Sequence, residues 1–160
     1  MNSMFPKWLN RIMLAVMTLL ALTGFAQMPI FKRYYIADIP GFGWLAAFYT
    51  THKIHYIAAA VFLALLFWMA TVYLLNHRKT WRPTAMGRVR LAILALIVVT
   101  GILRTVKNLP DHGFSPITVM AVDWIHLAAA MLLGITAILA RIGPWRRNGV
   151  YATRHYLDHS

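Results

Sequence analysis

His55-Tyr56-Ile57-Ala58-Ala59-Ala60-Val61-Phe62-Leu63 and His126-Leu127-Ala128-Ala129-Ala130-Met131-Leu132-Leu133-Gly134 are two copies of one phrase, a histidine that opens onto a run of alanines and larger apolar residues. Each copy follows an apolar segment with Thr-Gly near its end, Thr23-Gly24 before the first and Thr100-Gly101 before the second. This order predicts two similar helical hairpins, each bringing one histidine to the same depth of an apolar layer. Two histidines so placed are what is needed to hold one iron porphyrin from both sides.

The composition places that layer in a membrane. Of 160 residues 60% are hydrophobic, four are acidic and 12% are charged, whereas soluble domains carry about a quarter charged residues. The mean hydropathy is +0.60. Four apolar stretches stand out, Ile12–Ile30, Ile54–Leu75, Leu91–Leu103 and Val119–Ala140. A spanning helix needs ~20 mostly apolar residues. Three stretches qualify directly. The third becomes long enough when Arg88 and Arg90 at one end and Arg104 at the other snorkel along the helix. The prediction is an all-α membrane protein, a four-transmembrane-helix bundle made of two similar hairpins, with helices at about 12–30, 54–75, 89–106 and 119–140, forming a single integral-membrane domain.

Charge sets the expected orientation. Eleven Lys and Arg fall on one side: Lys7 and Arg11, the Arg78–Arg90 connection, and the tail from Arg141 onward. The other side has five, Lys32, Arg33, Lys53, Arg104 and Lys107. The positive-inside rule therefore puts both termini in the cytoplasm and His52, His55 and His126 near the outer face. The net charge of +12 flanks apolar spans, which argues against a nucleic-acid surface. Lys7, Arg11 and Leu14–Leu22 could form a signal peptide, but the Thr-Gly shared with the third helix ties this segment to the bundle. Cysteine is absent, so a thiolate-held iron–sulfur cluster, a thioether-attached haem and a disulfide framework are excluded within the chain. The connections Phe31–Thr51, Asn76–Gly87 and Thr105–Thr118 are too small for a soluble catalytic domain. The first holds Pro40-Gly41, a helix breaker, among interfacial aromatics.

Ionisable groups at membrane depth are usually functional, and bundle interiors commonly hold cofactor sites. Neutral imidazoles suit iron. Ala58 and Ala59 share a face with His55, as Ala129 and Ala130 do with His126, and Gly24 and Gly101 allow close approach on the other helices. Small residues also serve plain helix packing. His77, His112, His155 and His159 lie in connections or the tail, where a solvated surface is expected.

Together these segments resemble the cytochrome b subunit of respiratory formate dehydrogenases and of membrane-bound nickel–iron hydrogenases. The resemblance runs through Leu20-Ala-Leu-Thr-Gly24, Ile54-His-Tyr-Ile-Ala-Ala-Ala-Val-Phe-Leu-Ala-Leu65, Val98-Val-Thr-Gly-Ile-Leu103 and His126-Leu-Ala-Ala-Ala-Met-Leu-Leu-Gly134. It implies a membrane anchor that passes electrons to or from quinone, menaquinone included. The partner it implies is an iron–sulfur or multihaem cytochrome subunit on the extracytoplasmic side. That family usually holds two haems. The outer ligands map to His55 and His126, while the inner pair falls on Asn10 and Ala140, neither a usual ligand. The expectation is thus a reduced form with one haem b. His52 and Asp123, each three residues before a ligand, are candidates for proton transfer to quinone or for bonds to haem propionates. Asp123 has the alternative of pairing with Arg104 or Lys107. Arg104, and less so Lys53, are candidate propionate partners. Two other classes stand beside this one: a self-contained cytochrome b561-like oxidoreductase (ferric reductase or superoxide oxidase), and a haem-free membrane anchor or assembly subunit.

Overall fold

A hydrocarbon layer leaves the backbone no partner but itself, so an apolar chain that enters it must wind into helices or close into a barrel. This chain takes the helical route. The computed structural model describes residues 4–28, 35, 38–110, 113–142 and 152–154. It is mostly helical (80%), with four helices long and apolar enough to cross a membrane. These are α1 (Lys7–Ala26), α2 (Phe48–Val72), α3 (Ala85–Val106) and α4 (Pro116–Ile142). His112, His155, His159, Lys32 and Arg33, and residues 29–30 of the first predicted helix, lie outside the described residues.

All four helices begin before their apolar stretches, because hydropathy registers the buried middle of a span and not its polar first turn. Local chemistry sets the starts. Thr84 caps α3, its hydroxyl accepting from the Gly87 amide at 3.1 Å, as a threonine does at this position. Ser115 accepts from the Thr118 amide at 3.2 Å ahead of α4, and Pro116 opens that helix with φ already suited to it. At 22 residues, α3 includes Arg88, Arg90 and Arg104. Its length of ~33 Å at 1.5 Å per residue matches a hydrocarbon core of ~30 Å.

The chain divides into two compact units, Met1–His77 and Arg78–Ser160. In the first, α1 packs on α2. The chain enters α2 through Ile39-Pro40-Gly41-Phe42, where the Phe42 amide donates to the Ile39 carbonyl at 2.9 Å and Gly41 has φ +88°. This is a type II turn, with Pro and Gly at the positions that require them. A 3₁₀ turn, Gly43–Ala46, then buries Leu45. At the opposite end Leu9 is buried, Trp8 and Trp68 lie 6.3 Å apart, and a π turn, Tyr73–His77, sets His77 edge-on to Phe5 at 6.0 Å. His77, expected to be solvated, is half-buried. In the second unit α3 packs on α4, and two short strands, β1 (Trp81–Pro83) and β2 (Ala152–Arg154), pair antiparallel.

Large apolar side chains cover the exterior of the helices: Ile57, Phe67, Ile117, Trp124 and Ile138 are all exposed. So much exposed hydrocarbon exceeds any patch that a soluble monomer tolerates. Inside, small residues hold the contacts, with Ala58 at 4% and Ala129 at 1% exposure. Ala58→Leu and Ala129→Leu are each expected to lower stability by ~1–3 kcal/mol through overpacking. The exposed change Ile138→Leu is expected to have no measurable effect. Thermal unfolding in detergent reads the difference.

Candidate functional site

Each unit is built around a hydrogen bond between a threonine and a histidine. In the first, Thr23 on α1 is fully buried and its Oγ1 lies 2.9 Å from Nδ1 of His55 on α2. In the second, Thr100 on α3 is 4% exposed and its Oγ1 lies 2.9 Å from Nδ1 of His126 on α4. The threonine hydroxyls also reach back along their own helices, to Leu19 O at 2.7 Å and to Leu96 O at 2.7 Å. The glycine that follows each threonine lies against the ring. A Cβ at Gly24 would stand 3.5 Å from His55 Cε1, and one at Gly101 would stand 3.5 Å from His126 Cε1.

The two hydrogen bonds of each hydroxyl decide the state of its imidazole. A threonine hydroxyl has one proton. The shorter contact goes to a carbonyl oxygen, which can only accept, so the proton lies there. The hydroxyl oxygen must then accept from the ring, and Nδ1 carries the ring proton. A neutral imidazole protonated at Nδ1 has its lone pair on Nε2. In both rings Nδ1 is thus the donor to the hydroxyl, and a neutral ring in this tautomer presents the Nε2 lone pair, the form that binds a metal ion. Histidine residues that ligate metals almost always donate their other ring N–H to such a partner.

One turn beyond this bond the units differ. In the first, Gln27 Nε2 donates to the Thr23 carbonyl at 3.1 Å, which turns Gln27 Oε1 toward Nδ1 of His52 at 3.0 Å. His52 stacks on Phe48 at 5.4 Å and contacts Tyr56 at 4.3 Å. The equivalent places in the second unit hold charges. Arg104 Nε lies 2.9 Å from Asp123 Oδ1, and Lys107 Nζ lies 3.0 Å from Asp123 Oδ2. Asp123 thus takes the ion-pair role, shared by two cations. The triad carries one net positive charge, a setting suited to an anionic group beside it.

The site residues expected from sequence divide accordingly. His55 comes together with Gly24, and His126 with Gly101; His52 meets Gln27, and Asp123 meets Arg104 and Lys107. The alanines split by position. Ala58 and Ala129 are buried in the packing, whereas Ala59 is half-buried and Ala130 exposed, so only the i+4 alanines remain as surface beside each histidine. Asn10 is exposed and Ala140 buried. Among the described residues no group of three or more His, Cys, Asp or Glu gathers as a metal site. Sequence reasoning noted the Thr-Gly repeat for its glycine and missed the hydroxyl. Its signal was the repeat itself, but the sequence separations of 32 and 26 conceal that both threonines meet their histidine in the same way.

The 3.5 Å distances are ordinary van der Waals contact for a Cβ. Gly24→Ala and Gly101→Ala should therefore keep the threonine–histidine bond and gain up to ~1 kcal/mol of helix stability. Gly24→Leu and Gly101→Leu should push the ring away and lower the melting temperature in detergent.

No family model matches this chain, and neither does any curated protein or solved structure.

Proposed function

We propose that this chain is the membrane cytochrome b subunit of an oxidoreductase complex in a bacterial inner membrane. In this reading it forms a four-helix bundle of two hairpins with both termini in the cytoplasm. His55 and His126 are the axial ligands of one b-type haem near the outer face. The chain relays electrons between an extracytoplasmic iron–sulfur or multihaem cytochrome subunit and the quinone pool.

The observation that carries the proposal is the pair of matched threonine–histidine bonds. Their distances agree between the units to within 0.1 Å, and each turns Nδ1 of its ring to the hydroxyl, so that a neutral ring carries its lone pair on Nε2. Two such donors fit the axial demand of haem iron. A histidine kept only for packing would not need the same tautomer, the same hydroxyl and the same glycine twice over. When bound, the haem supplies reversible one-electron chemistry, and the protein supplies ligands, orientation and a sheath of low dielectric.

The chain's own residues supply the rest. Thr23 and Thr100 orient the rings. Ala59 and Ala130 keep the surface beside each ligand low, so that a flat group can approach. Arg104 and Lys107, with their net positive charge beside Asp123, suit a propionate. His52, aromatic on both sides and bonded to Gln27, is the candidate for exchanging a proton with quinone.

A reduced-minus-oxidised spectrum tests the ligands. The purified chain should show a b-type band, and His55→Ala and His126→Ala should each abolish it. A wild type without the band, or variants that keep it, would contradict the assignment. Reporter fusions test the orientation. An alkaline phosphatase fusion in the 38–47 connection should be active and one at the C-terminus inactive, and the reverse pattern would overturn the topology.

A further inference from the structure

We propose that Thr23 and Thr100 are positioning residues that set the electron-donating strength of the two axial imidazoles. The inference rests on the ligand assignment above and extends it to residues one shell further out. Each hydroxyl does two things at once. It gives its proton to a carbonyl one turn earlier, at 2.7 Å in both units, and it takes a hydrogen bond from the imidazole Nδ1–H, at 2.9 Å in both.

The first bond makes the second directional. A threonine whose proton is committed to its own helix cannot donate to the ring, so the ring has one consistent tautomer. The second carbonyl contact, Leu20 O at 3.3 Å and Ile97 O at 3.2 Å, lies on the same side and keeps the proton there. Both threonines are buried, so water does not compete for the hydroxyl oxygen. An acceptor on Nδ1–H raises the basicity of the ligating nitrogen, which favours the ferric state and lowers the reduction potential. A neutral hydroxyl does this less than a carboxylate would, because hydrogen bonds with an ionised partner are roughly twice as strong. Each threonine therefore sets an intermediate donor strength on its own imidazole, and the matched distances make the two settings alike.

Hydrogen-bond satisfaction requires only that the ring nitrogens find partners, whichever tautomer the ring takes. What the threonines fix is a tautomer, and the tautomer matters to whatever binds Nε2.

The test uses the full-length chain in detergent, in Thr23→Val and Thr100→Val, which keep the side-chain shape and remove the hydroxyl, and in Thr23→Ser and Thr100→Ser, which restore it. Alanine variants replace valine wherever valine impairs folding. Potentiometric titration of the haem-loaded protein should show a higher midpoint potential for each valine variant and a value near wild type for each serine variant. Haem affinity should fall ~10–100-fold in the valine variants, the usual effect of removing an outer partner of a ligand. In haem-free, histidine-labelled protein, the ¹⁵N shifts of His55 and His126 should report Nδ1–H in the wild type and move toward Nε2–H in the valine variants. A wild type that takes no haem would overturn the ligand assignment and this inference together. A haem-loaded wild type whose valine variants keep its potential, affinity and ¹⁵N shifts would overturn this inference alone.

Discussion

A polar ring inside an apolar helix pair has to satisfy its hydrogen bonds within the protein. Leaving one polar group unpaired there costs ~2–7 kcal/mol, more than the packing around it supplies in return. Here the requirement is met by one hydroxyl per histidine, and much of each unit follows from it. The threonine must be buried, the following residue must be small, and the helices must meet in the register that brings both against the ring. All buried side-chain polar atoms among the described residues have partners. The same solution appears in both units although their connecting segments differ in length.

The units agree at the threonine–histidine bond and diverge one turn beyond it. In one, a glutamine bridges the threonine's backbone to an imidazole held among aromatic rings. In the other, a carboxylate takes two cations. The units thus share one contact and differ in its surroundings. The common part offers two equal donors. The margins place an imidazole beside a glutamine in one unit and a carboxylate between two cations in the other.

Much of this was legible in the amino-acid order. The four apolar helices and their approximate middles followed from hydropathy, because burial in hydrocarbon leaves few other choices. His55 and His126 stood out through their repeated alanines, and Gly24 and Gly101 through the repeated Thr-Gly. Helix starts were less legible, since Thr84, Ser115 and Pro116 act through local caps that hydropathy does not weigh. The hydroxyls of Thr23 and Thr100 were in plain sight but carried no readable role. Their role depends on interhelical register, which the unequal separations conceal. The alanines' burial was not legible: Ala58 and Ala129 at i+3 are buried, whereas Ala59 and Ala130 at i+4 keep exposed surface. Asp123 had two possible roles in the sequence, and its distances to Arg104 and Lys107 show the ion pair.

The central claim is that two neutral imidazoles, matched by two threonines, serve one iron porphyrin. Haem stoichiometry tests it most directly. Haem extracted from the purified, haem-saturated chain and measured as its pyridine complex, against protein by amino-acid analysis, should give one haem b per chain. A ratio near zero would show that the matched histidines serve something other than haem, and a ratio near two would show that His55 and His126 do not share a single haem.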